Sequence, residues 1–269
     1  MNSAIPETTS QFARSATASI PTRVLGCLAV ASLAAVALLG LVVSPRDVNQ
    51  GEAVRFMYLH LPVIWIAYAS FVLAAVASAL LLWKGAARPD KGRHYDRLAG
   101  AAAEVGVFFT ALTIITGAMW GRLTWGVYWQ WDARLTTTAI MFVSYLGYLA
   151  LRQIPAEPVV RSKRAAIASL LAAVNLPLGH YSVDWGVTLH QEASLSSLSD
   201  PLITGDMLVV LVFSVMSFTI VAAWLMVHRY RVIRLEEIFE EEGLETALAA
   251  RRAEVDQPGE SGLETAGAL

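Results

Sequence analysis

Residues 61–83 read LPVIWIAYASFVLAAVASALLLW and contain no Asp, Glu, Lys or Arg. A helix needs about 20 consecutive apolar residues to cross the hydrocarbon core of a membrane. Residues 24–43 and 207–227 are two further charge-free stretches that are long enough to do so. These three stretches predict three transmembrane helices.

Three weaker stretches complete the pattern. Residues 98–120 carry one acidic residue, and residues 135–151 are shorter but free of charge. Residues 165–181 contain Asn175 and Pro177, which predict a kink whose freed backbone groups the Asn175 amide could satisfy. The predicted fold class is therefore an all-α integral membrane protein with six transmembrane helices.

The composition excludes several classes of protein. Of the 269 residues, 56% are hydrophobic and 16% are charged, which is too apolar for a freely soluble domain. The net charge of -2 provides no basic field for nucleic acid, so no nucleic-acid partner is expected. Because Cys27 is the one cysteine, the chain cannot form an intramolecular disulfide or a cysteine-based zinc cluster. A bound metal would have to be held by histidine.

The distribution of basic residues predicts the orientation of the helices. With six spans, all but four of the 20 Lys and Arg residues fall in segments on one side. The four exceptions are Arg46, Arg55, Arg122 and Arg134. Segments rich in Lys and Arg stay in the cytoplasm, so both termini are predicted to be cytoplasmic.

The two ends of the chain differ from its middle. Residues 1–22 are rich in Ser, Thr and Ala without an apolar period, which predicts a disordered cytoplasmic N-terminus. Residues 23–230 form the six-span membrane domain, and the first apolar stretch has no cleavage site, which predicts an uncleaved span. Residues 231–269 begin with an acidic stretch interleaved with apolar residues, which predicts a cytoplasmic helix followed by a tail.

The loop at residues 119–134 is rich in tryptophan. It contains WGRLTWGVYWQWDAR at residues 120–134, with four of the eight Trp residues of the chain. One interpretation is an aromatic belt at the membrane surface. The other is a platform for a large, flat, apolar ligand, with Arg122 and Arg134 available for its anionic groups. The concentration of rings in one loop favours the platform, formed by Trp120, Trp125, Tyr128, Trp129 and Trp131.

Histidines flank this platform on the same side. His60 immediately precedes the second predicted span, His190 follows the fifth, and His180 ends the fifth. A single histidine at a membrane surface is most simply a polar anchor. Two imidazoles beside an aromatic platform, with Arg nearby, suit axial ligation of haem iron and binding of the haem propionates. A zinc site is less favoured because it needs further ligands nearby.

Glu104 is the one acidic residue within a predicted span. Carboxylates inside a membrane often belong to proton relays. Arg97 and Lys91 are close along the chain, however, so a carboxylate paired with one of them is the simpler interpretation.

Three separated motifs resemble a known family. Residues 125–134, WGVYWQWDAR, resemble the tryptophan-rich WWD signature of haem-handling membrane proteins. Residues 55–62, RFMYLHLP, and residues 175–185, NLPLGHYSVDW, followed by Leu-His-Gln at residues 189–191, are similar to the histidine motifs of the haem exporter protein C family of bacterial cytochrome c maturation. The resemblance covers about residues 24–230, which leaves the head and the acidic tail outside it.

The resemblance implies a protein that receives haem and presents it on the periplasmic face. His60 and His190 would ligate the iron of a transiently and non-covalently bound haem b, and Arg55 and Arg134 would contact the propionates. The remaining positions would form a platform for haem and for a chaperone; they are Trp120, Trp125, Tyr128, Trp129, Trp131 and Asp132. A protein with this role is a carrier and not an enzyme.

The resemblance also implies partners and a location. The family works with a periplasmic haem chaperone called protein E, an ABC transporter made of an ATPase and a membrane subunit called proteins A and B, and a single-span protein D. The chain itself has no Walker A motif, which agrees with an ATPase supplied by a partner. The expected location is the bacterial inner membrane, with multiple spans.

The sequence departs from the family pattern at two positions. Tyr128 stands where the family usually has Trp, and Gly186 stands where a second Trp is common after Trp185.

The alternative function is a membrane b-type cytochrome or quinol redox subunit that uses a haem held by two histidines. A permease or scaffold subunit, with a Trp cluster that only anchors the membrane, is a third possibility and would bind no haem.

Overall fold

The computed structural model describes residues 19–85, 87–184, 188–190, 203 and 205–256. Within these ranges the chain is helical and contains no β-strand. The helices are α1 (Ile20–Leu38), α2 (Met57–Leu80), α3 (Pro89–Thr124), α4 (Ala133–Gln153), α5 (Pro158–Ala173), α6 (Asn175–Tyr181) and α7 (Gly205–Asp256). Short helical turns adjoin them at Leu39–Val43, Glu52–Phe56, Leu81–Gly85 and Ser182–Asp184.

Six of these helical segments are long and apolar enough to cross a membrane. They are Ile20–Val43, Glu52–Gly85, Pro89–Thr124, Ala133–Gln153, Pro158–Asp184 and Gly205–Arg252. Each of the six predicted spans lies inside one of them, so the all-α fold with six spans is confirmed. These helices leave many large apolar side chains exposed, as expected for a surface that faces lipid.

The fifth predicted span falls on two helices, α5 and α6, and the kink predicted there stays a prediction. α5 ends at Ala173, and α6 begins at Asn175 after one intervening residue. The Asn175 amide donates a 2.7 Å hydrogen bond to the carbonyl of Thr137 in α4. Asn175 therefore links α6 to α4, and its amide bonds a carbonyl of that neighbouring helix instead of a backbone group of its own span.

The helices pack around a central pair formed by α2 and α3. α1 and α7 pack on one side of this pair, and α4 and α5 pack on the other. Gly106 in α3 allows close approach, because a Cβ there would lie 2.4 Å from the Phe71 ring of α2. Phe71 in turn stacks on Tyr145 of α4, with ring centroids 3.7 Å apart. Small and aromatic residues thus alternate across the core.

One end of the bundle, which we call the charged end, is held by ion pairs. Arg152 of α4 binds Asp96 of α3 through two hydrogen bonds of 2.7 and 3.0 Å. Arg229 of α7 pairs with Glu104 of α3, so Glu104 has a cation from another helix as its partner, not Arg97 or Lys91. Further pairs at this end are Arg97–Glu237, Arg93–Glu241 and Arg161–Glu240.

The helix that ends the described chain explains these pairs. α7 continues without a break from its apolar part through the acidic stretch. Its carboxylates at Glu237, Glu240 and Glu241 meet arginines of α3 and α5. The acidic stretch is therefore docked, in part, on the helices that precede it.

Candidate functional site

The opposite end, which we call the cavity end, contains a cavity of about 510 Å3. Its walls come from the start of α2, the end of α3, the start of α4 and the residues around α6. Six of the predicted site residues line it: His60, Trp120, Trp125, Trp129, Arg134 and His190. The volume falls within the ~300–1,000 Å3 range of ligand and cofactor sites in proteins.

His60 is the buried histidine of this cavity. It lies inside α2 and is 9% exposed, whereas the sequence placed it just before the second span. Its Nδ1 lies 3.1 Å from the hydroxyl of Thr116 in α3. That hydroxyl donates its own proton to the Leu112 carbonyl at 2.7 Å, so it accepts from His60 Nδ1–H. Nδ1 then carries the ring proton, and Nε2 keeps a lone pair for a metal.

Close packing fixes the orientation of the His60 ring. A Cβ at Gly117 would lie 2.8 Å from His60 Cε1, so a larger residue there would collide with the ring. Trp120 packs edge-on against His60, with centroids 5.7 Å apart, and donates a 2.9 Å hydrogen bond from Nε1 to Gln50. The imidazole is therefore confined by packing as well as by its hydrogen bond.

His190 lies across the cavity on another part of the chain. Its ring packs edge-on against Trp125, with centroids 5.9 Å apart. The short segment that carries it, residues 188–190, is attached to Asp132, which accepts hydrogen bonds from the Thr188 hydroxyl and the Leu189 amide. The cavity thus brings together two imidazoles that are far apart in sequence.

Two side chains supply hydrogen-bond donors for an anionic ligand. Trp129 Nε1 is buried and has no hydrogen-bond partner within the described part of the chain. Arg134 donates through Nη1 to the carbonyls of Gly179 and His180, at 2.6 and 3.0 Å. A guanidinium has five N–H donors, so its Nε and Nη2 groups are left for a carboxylate.

The remaining predicted residues do not line this cavity. Arg55 pairs with Glu52, donates to the carbonyl of Gly40 and borders a second cavity of about 300 Å3. Tyr128 lies under the Arg122 guanidinium, 5.7 Å from its ring centroid.

Trp131 and Asp132 also stand outside the cavity. Trp131 is 75% exposed and contacts the edge of Trp129, with centroids 5.4 Å apart. Asp132 caps α4 by accepting a 2.8 Å hydrogen bond from the Leu135 amide. Trp185 and Gly186, on which one departure from the family pattern rests, lie outside the described residues.

Sequence reasoning missed several residues of the cavity. Gln50, Tyr68 and Thr113 line it, and Thr116 supports His60 from behind. His180, which the sequence placed on the correct side, lines it as well and packs edge-on against Tyr68. A Thr or Tyr in an apolar span gives no local signal of such a role.

The chain is similar to known proteins over most of its length. The family model described as Heme exporter protein C matches residues 4–244, which extends past the range we expected at both ends. A Heme exporter protein C of Haemophilus influenzae is 40% identical over 201 residues, covering 74% of this chain and 78% of the relative. Those of Bradyrhizobium diazoefficiens and Escherichia coli are 37% and 34% identical, covering 75% and 70% of this chain and 75% and 73% of the relatives. The chain therefore belongs to the Heme exporter protein C family.

Proposed function

We propose that this protein binds haem as its cargo in the cavity and delivers it for the maturation of c-type cytochromes. The observation that carries the proposal is the cavity itself, which gathers three histidines, four tryptophans and an arginine from separate segments. His60 and His190 would ligate the iron. Membership of a family named for haem export supports this choice of cargo.

The residues present fit haem chemically. The His60 tautomer leaves Nε2 available for iron, which is the arrangement that metal-bound histidines adopt. Indole rings of Trp120, Trp125 and Trp129 provide apolar contact area for a flat macrocycle. Arg134 provides donors for propionates, and so does Trp129 Nε1, which has no partner among the described residues. The cargo would be haem b, held without covalent bonds.

The distribution of charge supports an orientation for this site. The cavity end carries few basic residues, and the charged end carries most of them, so the cavity end would face the periplasm. Both termini would then be cytoplasmic. We place the protein in the bacterial inner membrane, where the six membrane-crossing helices would hold the cavity beside the periplasm.

We further propose that the protein is a carrier and not an enzyme. It would receive haem and pass it to a periplasmic chaperone, protein E, which competes for the iron with its own ligand. The energy would come from an associated ABC transporter, proteins A and B, together with the single-span protein D, because the chain has no Walker A motif. The exposed ring of Trp131 beside Trp129 offers a surface for the chaperone.

The test is the visible absorption spectrum of the full chain purified in detergent and titrated with haemin. Wild type is expected to give a Soret band with low-spin features. His60→Ala and His190→Ala are each expected to lose the low-spin features, because one axial ligand is missing.

A matched control separates ligation from general damage. His94 lies at the charged end, where its Nδ1 bonds with the Tyr230 hydroxyl at 2.8 Å, so His94→Ala should leave the spectrum unchanged. Low-spin haem in both cavity variants would contradict ligation by His60 and His190. Absence of any Soret band in wild type would contradict haem binding altogether.

One observation favours a second candidate, the membrane b-type cytochrome or quinol redox subunit. Haems that transfer electrons are held by histidines inside a helix bundle, and His60 lies inside α2 and is buried. Reversible reduction of the bound haem by a quinol, repeated over several cycles of reduction and reoxidation, would support this function. Transfer of haem to a purified chaperone would support delivery instead.

A further inference from the structure

The carboxylate of Asp132 is divided between two parts of the chain. Oδ1 accepts a 2.8 Å hydrogen bond from the Leu135 amide at the first turn of α4. Oδ2 accepts a 2.6 Å hydrogen bond from the Thr188 hydroxyl and a 3.2 Å hydrogen bond from the Leu189 amide. One side chain therefore ties the start of α4 to the segment that carries His190.

Thr188 carries the connection one step further. Its hydroxyl gives its proton to Asp132 and accepts a 3.0 Å hydrogen bond from the His190 amide. Asp132 thus reaches the backbone of His190 through one intervening hydroxyl. The carboxylate of Asp132 also caps the N-terminus of α4, so the anchor is fixed at the start of a helix.

We infer that Asp132 and Thr188 form a latch that positions His190 for haem iron. This inference rests on the proposed function, and it gives Asp132 a role different from direct contact with haem. α4 also carries Arg134, which lines the cavity two residues after Asp132. The latch therefore fixes the position of the His190 imidazole relative to Arg134, which lines the same cavity.

The latch explains how a histidine on a short loop segment can act as an iron ligand. A ligand on a loop must be oriented by neighbours, and removal of such supporting hydrogen bonds typically weakens metal binding about 10- to 100-fold. His60 has Thr116 and close packing for this purpose. His190 has the edge of Trp125 and the latch.

The chain offers substitutions that separate the latch from the helix cap. Asp132→Asn keeps an oxygen for the Leu135 amide, and Asn is as good a cap as Asp, but the amide nitrogen cannot accept from Thr188 or Leu189. Thr188→Val removes the hydroxyl and keeps the shape. Thr188→Ser restores the hydroxyl and serves as the matched control.

The experiment titrates the detergent-purified full-length variants with haemin. Asp132→Asn and Thr188→Val are each expected to bind haemin about 10- to 100-fold more weakly than wild type, with part of the low-spin spectrum replaced by a five-coordinate high-spin form. Thr188→Ser is expected to match wild type. The loss of affinity in the double variant is expected to be smaller than the sum of the two single losses, because both substitutions break the bond between Asp132 and Thr188.

A second measurement on the haem-free protein keeps the two proposals distinguishable. Hydrogen exchange of the Leu189 amide should accelerate in Asp132→Asn, which removes its acceptor, and hydrogen exchange of the His190 amide should accelerate in Thr188→Val, which removes the hydroxyl that accepts from it. Unchanged exchange would overturn the latch. If exchange accelerates and haemin affinity and spin state stay those of wild type, the latch does not position an iron ligand. If His190→Ala also binds haemin as wild type does, the proposed function fails at His190, and this inference fails with it.

Discussion

The two ends of the helix bundle use polar residues in opposite ways. At the charged end, arginines meet carboxylates from other helices, as Arg152 does with Asp96 and Arg229 does with Glu104. At the cavity end, Arg134 has only backbone carbonyls as acceptors within the described part of the chain, and Trp129 Nε1 has no acceptor there. The arginines of those two pairs have carboxylate partners, whereas Arg134 and Trp129 line the cavity with no carboxylate partner among the described residues.

This difference indicates that the charged end stabilises the fold and that the cavity end binds a ligand. A buried polar group costs free energy unless it is paired, and a ligand in the cavity would supply an acceptor for Trp129 Nε1. The pairs of the charged end join α3 to α4 and to α7, which closes the bundle around the central helices. Damage to the charged end should therefore reduce stability, and damage to the cavity end should reduce binding.

Asp96→Asn should give the largest effect on stability. The carboxylate of Asp96 and the guanidinium of Arg152 are 14% and 15% exposed, so loss of the acid leaves a largely buried cation without its counter-charge. Loss of one partner of a buried pair typically costs about 3–5 kcal/mol. We expect that decrease in the free energy of unfolding, measured by circular dichroism during denaturation in detergent.

A second variant sharpens this prediction. Arg152→Met added to Asp96→Asn removes the remaining charge and should recover part of the stability. The folded fraction of either variant should bind haemin with wild-type affinity, because both residues are at the charged end. A loss of haemin affinity without a loss of stability would contradict the division between the two ends.

Gly117→Ala should give an intermediate effect, and at the cavity end. The added Cβ would lie 2.8 Å from His60 Cε1 and 3.3 Å from Nδ1, so the ring must move away from its bond with Thr116. Overpacking of this kind costs about 1–3 kcal/mol, which we expect to find in the free energy of haemin binding. Gly147→Ala is the control, since nothing lies within 4 Å of a Cβ there. Equal haemin affinity in both variants would mean that the position of His60 does not matter.

The sequence predicted the membrane-crossing helices well because lipid imposes a simple rule. Each long apolar stretch had to become a helix, and each lies inside an observed one. The first and last residues of the helices were less predictable, because hydropathy does not detect the part of a helix that extends beyond its apolar stretch. α3 begins at Pro89, nine residues (98 − 89) before the predicted span, and α7 runs on to Asp256.

The candidate site was predictable where residue types were unusual and not where their roles depend on distant contacts. Histidines beside a tryptophan-rich loop suggested a shared site, and the structure places His60 and His190 on one cavity. The partner of His60 is Thr116, and the partner of Asp132 is Thr188, each of them 56 residues away along the chain. Threonine is common in such sequences, so only the fold identifies these two.

Glu104 illustrates the same limit at the charged end. Proximity along the chain favoured Arg97 or Lys91 as its partner, but the helices bring Arg229 to it and give Arg97 to Glu237. Pairing with Arg229 gives Glu104 a structural role between α3 and α7 that requires no proton transfer. The choice among cations was set by how α7 packs on α3.

Arg93→Ala should give the smallest effect and marks the boundary of the charged end. Its pair with Glu241 is 3.0 Å long, but the two side chains are 53% and 63% exposed, so water screens their attraction. Exposed pairs contribute about 0–1 kcal/mol, and the remainder should vanish in 1 M salt, where the screening length is about 3 Å. Chemical denaturation at low and at high salt measures the free energy that the pair contributes and its loss in 1 M salt. A salt-independent loss as large as that of Asp96→Asn would contradict the expectation that the half-buried pairs, and not the exposed ones, hold α7 against α3.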